Sequence, residues 1–187
     1  WGSPWIGFEY FLQFFRSSMF WLLIRNTLSI GFLSLISGFP ITIMVALMLN
    51  MIPSQKFKRT VQTITYAPHF IAMVVMVGML YVFLSPRTGL VNLIIRFFGE
   101  EAVMFMGSAE WFKPIFIASG IWQNTGWGTI IYLATLSSIN PELYEAAIMD
   151  GANKIKRVIH IDIPSLLPTI SILLILMLVF AFAAGCD

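Results

Sequence analysis

Four stretches of this chain are nearly free of charge, and each is long enough to cross a lipid bilayer. They run from Thr27 to Leu49, Val61 to Leu84, Trp111 to Leu136 and Leu166 to Ala184. A crossing helix needs about 20 mostly apolar residues. The first and last stretches hold no Asp, Glu, Lys or Arg, the second has His69 as its one group titrating near neutrality, and the third has Lys113 at its edge. Lipid offers no partner to a free backbone N–H or C=O, so continuous helix is expected throughout. The expected fold class is all-α: a polytopic transmembrane helical bundle with four spans. Composition agrees. Of 187 residues, 58% are hydrophobic and 11% charged, whereas a soluble domain carries about 25% charged residues. Such a chain cannot cover its own surface with ionic groups, which argues against a soluble enzyme. A net charge of +2 gives no reason to expect a nucleic-acid partner, and the single Cys186 excludes an intrachain disulfide or a Cys-based metal site.

Basic residues set the expected orientation. Lys56, Lys58 and Arg59 lie between the first two stretches, and Lys154, Lys156 and Arg157 between the last two. Alternating spans put both loops on one side, the cytoplasmic one. The loop from Ser85 to Glu110, with Glu100, Glu101 and Glu110, then lies outside, as do Trp1 and Asp187. The chain starts on Trp rather than Met and ends directly after an apolar run. Both ends look cut, and residues 1–187 are expected to be one transmembrane domain truncated at each end. In the outer loop, Ser85-Pro86-Arg87-Thr88-Gly89 is a turn signature. Leu90, Leu93, Ile94, Phe97 and Phe98 then recur at helical spacing, as do Phe8, Phe11, Leu12 and Phe15 near the start. Both patterns suit amphipathic helices at the membrane surface or packed on neighbouring loops.

The cytoplasmic loop, residues 137–165, carries the sharpest local signals. Asn140 is a good N-cap and Pro141 suits a first helical position. Glu142 and Glu145 sit near the positive helix end, and Gly151 can stop the helix in the left-handed conformation. A short helix over Pro141 to Asp150 follows. Ile155, Val158, Ile159 and Asp162 fall at helical spacing and predict a second short helix. Pro164 biases Ile163 away from helix, leaving Ser165 to cap the next span. By physics alone this helix-turn-helix could equally be a solvated connector.

Glu145-Ala146-Ala147, three residues, Gly151, nine residues and Ile161-Asp162-Ile163-Pro164 together resemble the Glu-Ala-Ala loop of bacterial ABC-importer permeases. Asp150 and Ala152 match the frequent Asp-Gly-Ala form; Ile163 in place of Leu is the one departure. Softer matches resemble the carbohydrate and oligosaccharide branch of that family: Gly38-Phe39-Pro40, Tyr66-x-Pro68-His69-Phe70 and Trp122-Gln123-Asn124-x-Gly126-Trp127. The resemblance implies about six spans in the intact protein, in a bacterial inner membrane. It implies that the loop docks on cytoplasmic ATP-binding subunits, that a second homologous permease completes the pathway, and that a solute-binding protein delivers a sugar from outside. Docking would fall to Glu145, Ala146, Ala147, Asp150, Gly151 and Ala152, with Ile161, Ile163 and Pro164 pinning the loop to the membrane helices. This chain has no Gly-x-x-x-x-Gly-Lys-Ser/Thr phosphate loop. It is therefore expected to be a transporter subunit rather than an enzyme, with ATP and magnesium on the partner and no cofactor of its own.

Trp122 stands eleven residues past Trp111, about 16 Å deeper, and Gln123, Asn124 and Thr125 are mid-depth beside it. Such residues commonly bond helix to helix, and Gly120, Gly126 and Gly128 also favour close packing. The alternative use is a sugar path, in which Gln123 and Trp127, four apart, can share a face. Other functions stay open at this level. A channel or ion-coupled carrier would need charge within the membrane, which these spans lack. A permease for an amino acid, peptide or ion, or an anchor recruiting a partner through the same loop, remains compatible.

Overall fold

The computed structural model describes residues 7–183. The expected end of the fourth span at Ala184, Cys186 and both termini lie outside them. Among the described residues the structure is helical and holds no strand. The helices are α1 (Glu9–Arg16), α2 (Phe20–Asn50), α3 (Gln55–Tyr66), α4 (Met73–Phe83), α5 (Leu90–Phe97), α6 (Ala109–Ser137), α7 (Pro141–Met149), α8 (Lys154–Arg157) and α9 (Ile163–Ala183).

The first stretch became α2, which begins earlier than expected and takes in Arg25. Its 31 residues span about 46 Å at 1.5 Å per residue. α6 is the central element. It packs chiefly on α2 and also touches α3, the Ala67–Phe70 turn and α9. A buried cluster of Ala46, Leu49, Tyr132, Leu133, Leu136 and Leu166 joins α2, α6 and α9 at the end nearest the two basic loops. Two residues of α6 let it approach its neighbours. A Cβ on Gly126 would collide with the Thr65 carbonyl, and one on Gly128 would sit 2.9 Å from Thr42 Cγ2. Gly120, by contrast, faces open space.

The second stretch is corrected most. It is a broken span rather than a continuous helix. α3 ends in a tight turn over Ala67–Phe70, Ile71 and Ala72 are extended, and α4 leaves at 100° to the first half. Pro68 supplies part of the reason, because it has no N–H to bond back to Ile64. The rest is tertiary: the freed Ile71 carbonyl accepts a 2.7 Å hydrogen bond from Gln123 Nε2 on α6. Two helices, Phe20–Asn50 and Lys154–Val179, are long and apolar enough to cross a membrane, and a third crossing exists if the bent pair is one span. α6 is long enough at 29 residues, but its polar middle dilutes its apolarity. The four expected spans are thus two apolar helices, one broken helix, and one whose polar centre is turned partly into protein.

The outer loop contains the expected amphipathic helix, α5. Its Leu90, Leu93, Ile94 and Phe97 are exposed, while Asn92, 1% exposed, faces inward. The Asn92 amide donates toward the carbonyls of Leu84, Ser85 and Val103, and its Oδ1 accepts from Val103 N at 2.8 Å. One side chain therefore closes the whole loop. α1 matches the other amphipathic pattern, with Phe8, Phe11, Leu12 and Phe15 exposed.

Candidate functional site

The loop helix α7 is built by its own ends. Asn140 Oδ1 accepts from Glu142 N at 3.1 Å, and Pro141 takes the first position. At the other end Ala152 N donates to Ala147 O at 2.8 Å, and Gly151 N donates to Ile148 O at 3.0 Å. This paired closure needs a left-handed residue, which Gly151 supplies at φ 74°. Space around it is open, with no atom within 4 Å of where a Cβ would stand. Glycine is thus demanded by the backbone turn, whatever surface docks beside it. Glu145, Ala146 and Asp150 are exposed, and Ala147 and Ala152 half-buried. Met149 is 87% exposed, with Leu143 and Ile148 also open, an apolar surface that sequence periodicity did not single out.

The second loop helix departs from expectation. α8 begins on an Asn153 cap, with Lys156 N donating to Asn153 Oδ1 at 2.8 Å. It does not stop before Pro164. A wide helical turn over Val158–Asp162 carries it straight into α9, with Ile163 helical at φ −62° and ψ −49°. The proline ring would crowd the carbonyl four residues back, and widening the ladder there lets the helix pass. Ser165 therefore lies inside a helix and caps nothing. Wide turns of this kind are rare and gather at functional sites.

That turn sets which residues face the bundle. Ile163 and Pro164 are exposed, Ile161 is half-buried, and the residues packed inward are Asp162, 3% exposed, and Leu166. Asp162 Oδ1 accepts a 2.5 Å hydrogen bond from the Tyr144 hydroxyl on α7. Burial, then the hydrogen bond and charge of Asp162, push the Tyr144 hydroxyl's pKa up, against smaller opposing effects of the Asn50 amide and the Arg157 charge. The phenol therefore stays protonated and keeps donating. Asp162 stood out in the sequence only as one position of a helical stripe, and Tyr144 not at all. The only available signal was that Tyr144 precedes, and Asp162 interrupts, the motif positions.

The second feature is a cavity of about 940 Å³ between α2, α4 and α6, continued by Phe105 and Met106. No Asp, Glu, Lys, Arg or His is among its lining residues. Gln123, Asn124, Ser34, Thr42, Ser108, Ser119, Tyr81 and Tyr132 are its polar lining residues among aliphatic and aromatic walls. The structure brings Gln123 to this cavity and leaves Trp127 out of it. Trp127 instead stacks on His69, centroids 4.6 Å apart and 5° from parallel, and His69 Nδ1 lies 3.2 Å from Asn124 Oδ1. So Gln123 meets the broken span at Ile71, Asn124 and Trp127 both meet it at His69, and Gln123 and Asn124 do so while lining the cavity. Thr125 Oγ1 is buried with no hydrogen-bond partner.

Comparison with known proteins bears on both features. The family model described as the binding-protein-dependent transport system inner membrane component matches residues 11–185. Protein LplB of Bacillus subtilis is 43% identical over 176 residues, 94% of this chain and 55% of its own length. The polygalacturonan/rhamnogalacturonan transport system permease protein YteP of the same organism is 43% identical over 175 residues, 94% of this chain and 54% of its own. The crystal structure of a bacterial ABC transporter involved in the import of the acidic polysaccharide alginate superimposes with a TM-score of 0.92 at 44% identity, covering 98% of this chain and 64% of that one. The chain thus spans about half the length of these curated relatives. With its broken second span, its capped loop helix and this match over nearly its whole length, the chain belongs to the family of binding-protein-dependent transport system inner membrane components.

Proposed function

We propose that the intact protein is a membrane-spanning permease subunit of an ATP-driven importer, carrying a sugar or oligosaccharide handed over by an extracytoplasmic solute-binding protein. The observation that carries this reading is α7, a capped nine-residue helix with an exposed apolar and acidic face, held beside the bundle by a partly buried hydrogen bond. In this reading α7 is the surface on which a cytoplasmic ATP-binding subunit docks. Glu145 makes a charge-assisted contact, Ala146 and Ala147 admit a close approach, and Asp150, Gly151 and Ala152 fix the helix end. Ile161, Ile163 and Pro164 follow on the membrane side, where the exposed Ile163 and Pro164 meet lipid or partner. ATP and magnesium belong to that partner, and this chain contributes no cofactor. A second, homologous permease closes the open side of the cavity.

The cavity supports the solute class. Amides and hydroxyls set among aromatic and aliphatic walls suit a hydroxyl-rich solute with apolar C–H faces. Gln123 is proposed as a lining residue, and Trp127, outside the cavity, as a prop that holds the broken span through His69. The name of YteP specifies polygalacturonan and rhamnogalacturonan, and that of the alginate importer an acidic polysaccharide; a sugar polymer fragment is the corresponding solute here. Gly151→Leu tests the docking role. It forces a side chain into a left-handed backbone at a cost of about 1–2 kcal/mol, so the ATP-binding subunit should fail to co-purify, or ATP hydrolysis should proceed without uptake. Unchanged co-purification and uptake would remove the docking assignment.

A further inference from the structure

The coupling of α7 to the membrane helices rests on very few contacts. α7 hangs between two turns, Ser138 to Asn140 on one side and Gly151 on the other. Most of its residues are exposed, with Tyr144 and Ala147 half-buried. A short helix held only by two turns can pivot on them, and a pivoting helix absorbs a push instead of passing it on. One side chain opposes that pivot. Tyr144 reaches off α7 to Asp162, 3% exposed, on the wide turn of the α8–α9 helix. The next turn of that helix places Leu166, fully buried, in the cluster with Ala46 and Leu49 of α2 and Leu133 and Leu136 of α6.

We propose that the Tyr144–Asp162 hydrogen bond is a strut that transmits displacement of α7 to the spanning helices. This rests on the reading of α7 as the ATPase-docking helix and names the residues that make docking productive. The geometry favours transmission over simple anchoring. A hydroxyl-to-carboxylate bond of 2.5 Å is short and charge-assisted. Its acceptor is buried, so breaking it leaves a desolvated carboxylate rather than a hydrated one. Asp162 ends the wide turn, and from there its side chain reaches α7. Both residues are positioning residues. Neither touches solute or nucleotide in this proposal.

The test uses the full-length protein reconstituted in liposomes with its partner permease, ATP-binding subunit and solute-binding protein. Wild type, Tyr144→Phe, Asp162→Asn and the double variant are compared for ATPase co-purification, binding-protein-stimulated ATP hydrolysis, and solute taken up per ATP hydrolysed. The strut predicts that Tyr144→Phe keeps the ATPase subunit and its hydrolysis but lowers uptake per ATP about tenfold, the scale of losing one hydrogen bond to a charged group. The double variant should be no worse than either single one, because both break the same bond. Unchanged uptake per ATP in Tyr144→Phe overturns the strut and leaves the docking reading intact. Loss of the ATPase subunit in Tyr144→Phe also overturns it, since the bond then serves docking alone. If wild type itself recruits no ATP-binding subunit, the docking reading fails and the strut with it.

Discussion

Gly126 shows how much a single missing methyl group decides. α6 and the broken span touch backbone to backbone there, and any side chain would meet the Thr65 carbonyl. Gly126→Ala should therefore destabilise by about 1–3 kcal/mol through overpacking, since backbone rather than a flexible side chain must yield. The check is the thermal midpoint of the purified protein in detergent, with Gly120→Ala as control. Gly120 faces open space and should tolerate the change, or gain slightly through its helix. Asn92 poses the opposite problem. It is a buried amide whose four contacts close the outer loop. Asn92→Leu keeps volume but leaves the Val103 N–H and several carbonyls without that partner, at about 1–3 kcal/mol for a buried unsatisfied group. Limited proteolysis should then cut the outer loop between Ser85 and Val103 faster than in the wild type; equal cutting would show that the loop is held elsewhere.

At the scale of elements, the helices that sequence described well are those whose ends are written locally. α7 follows from Asn140, Pro141 and Gly151, because a cap and a left-handed closure are matters of a few neighbouring residues. Asn140→Ala should cost about 1 kcal/mol of helix stability, seen as faster amide exchange at Glu142 and Leu143 than in the wild type. α5 follows likewise from its apolar spacing. The broken span was not legible. The stretch from Val61 to Leu84 holds no Asp, Glu, Lys or Arg and so reads as one span, and Pro68 alone could equally have sat near a gentle kink. What stabilises the break is Gln123, more than fifty residues away, and no local pattern announces that pairing. Gln123→Leu removes the donor to Ile71 and should loosen α4 against α6. A spin-label pair on Tyr81 and Phe116 should report a broader distance distribution than in the wild type; an unchanged one would place the cause of the break in Pro68. The wide turn before Pro164 was missed for a related reason. A proline forbids a regular helix in sequence terms, and only the packed Asp162 and Leu166 show why the chain keeps the helix by widening it. The two residues expected to line a sugar path divided similarly. The four-residue spacing put Gln123 and Trp127 on neighbouring levels, yet His69 captured Trp127 and left Gln123 to the cavity.

The whole molecule is an uneven bundle: a packed end where α2, α6 and α9 share a buried cluster, and an open end where the cavity lies. The loop helix adjoins the packed end. That distribution suits a device driven from the packed side and emptied or filled through the open one. Its orientation is testable by cysteine substitution in intact cells. Positions 58 and 156 should resist an impermeant maleimide and position 100 should react; labelling at 58 would invert the map. The central claim is that import is powered through this chain by a separate ATP-hydrolysing partner. The most direct measurement is uptake of labelled oligosaccharide by proteoliposomes holding the full-length protein, its partner permease and its ATP-binding subunit, with the solute-binding protein outside and ATP sealed within. The account predicts uptake that requires both ATP and the binding protein and that persists when proton and sodium gradients are collapsed. Uptake driven by an ion gradient with no ATP present would contradict it.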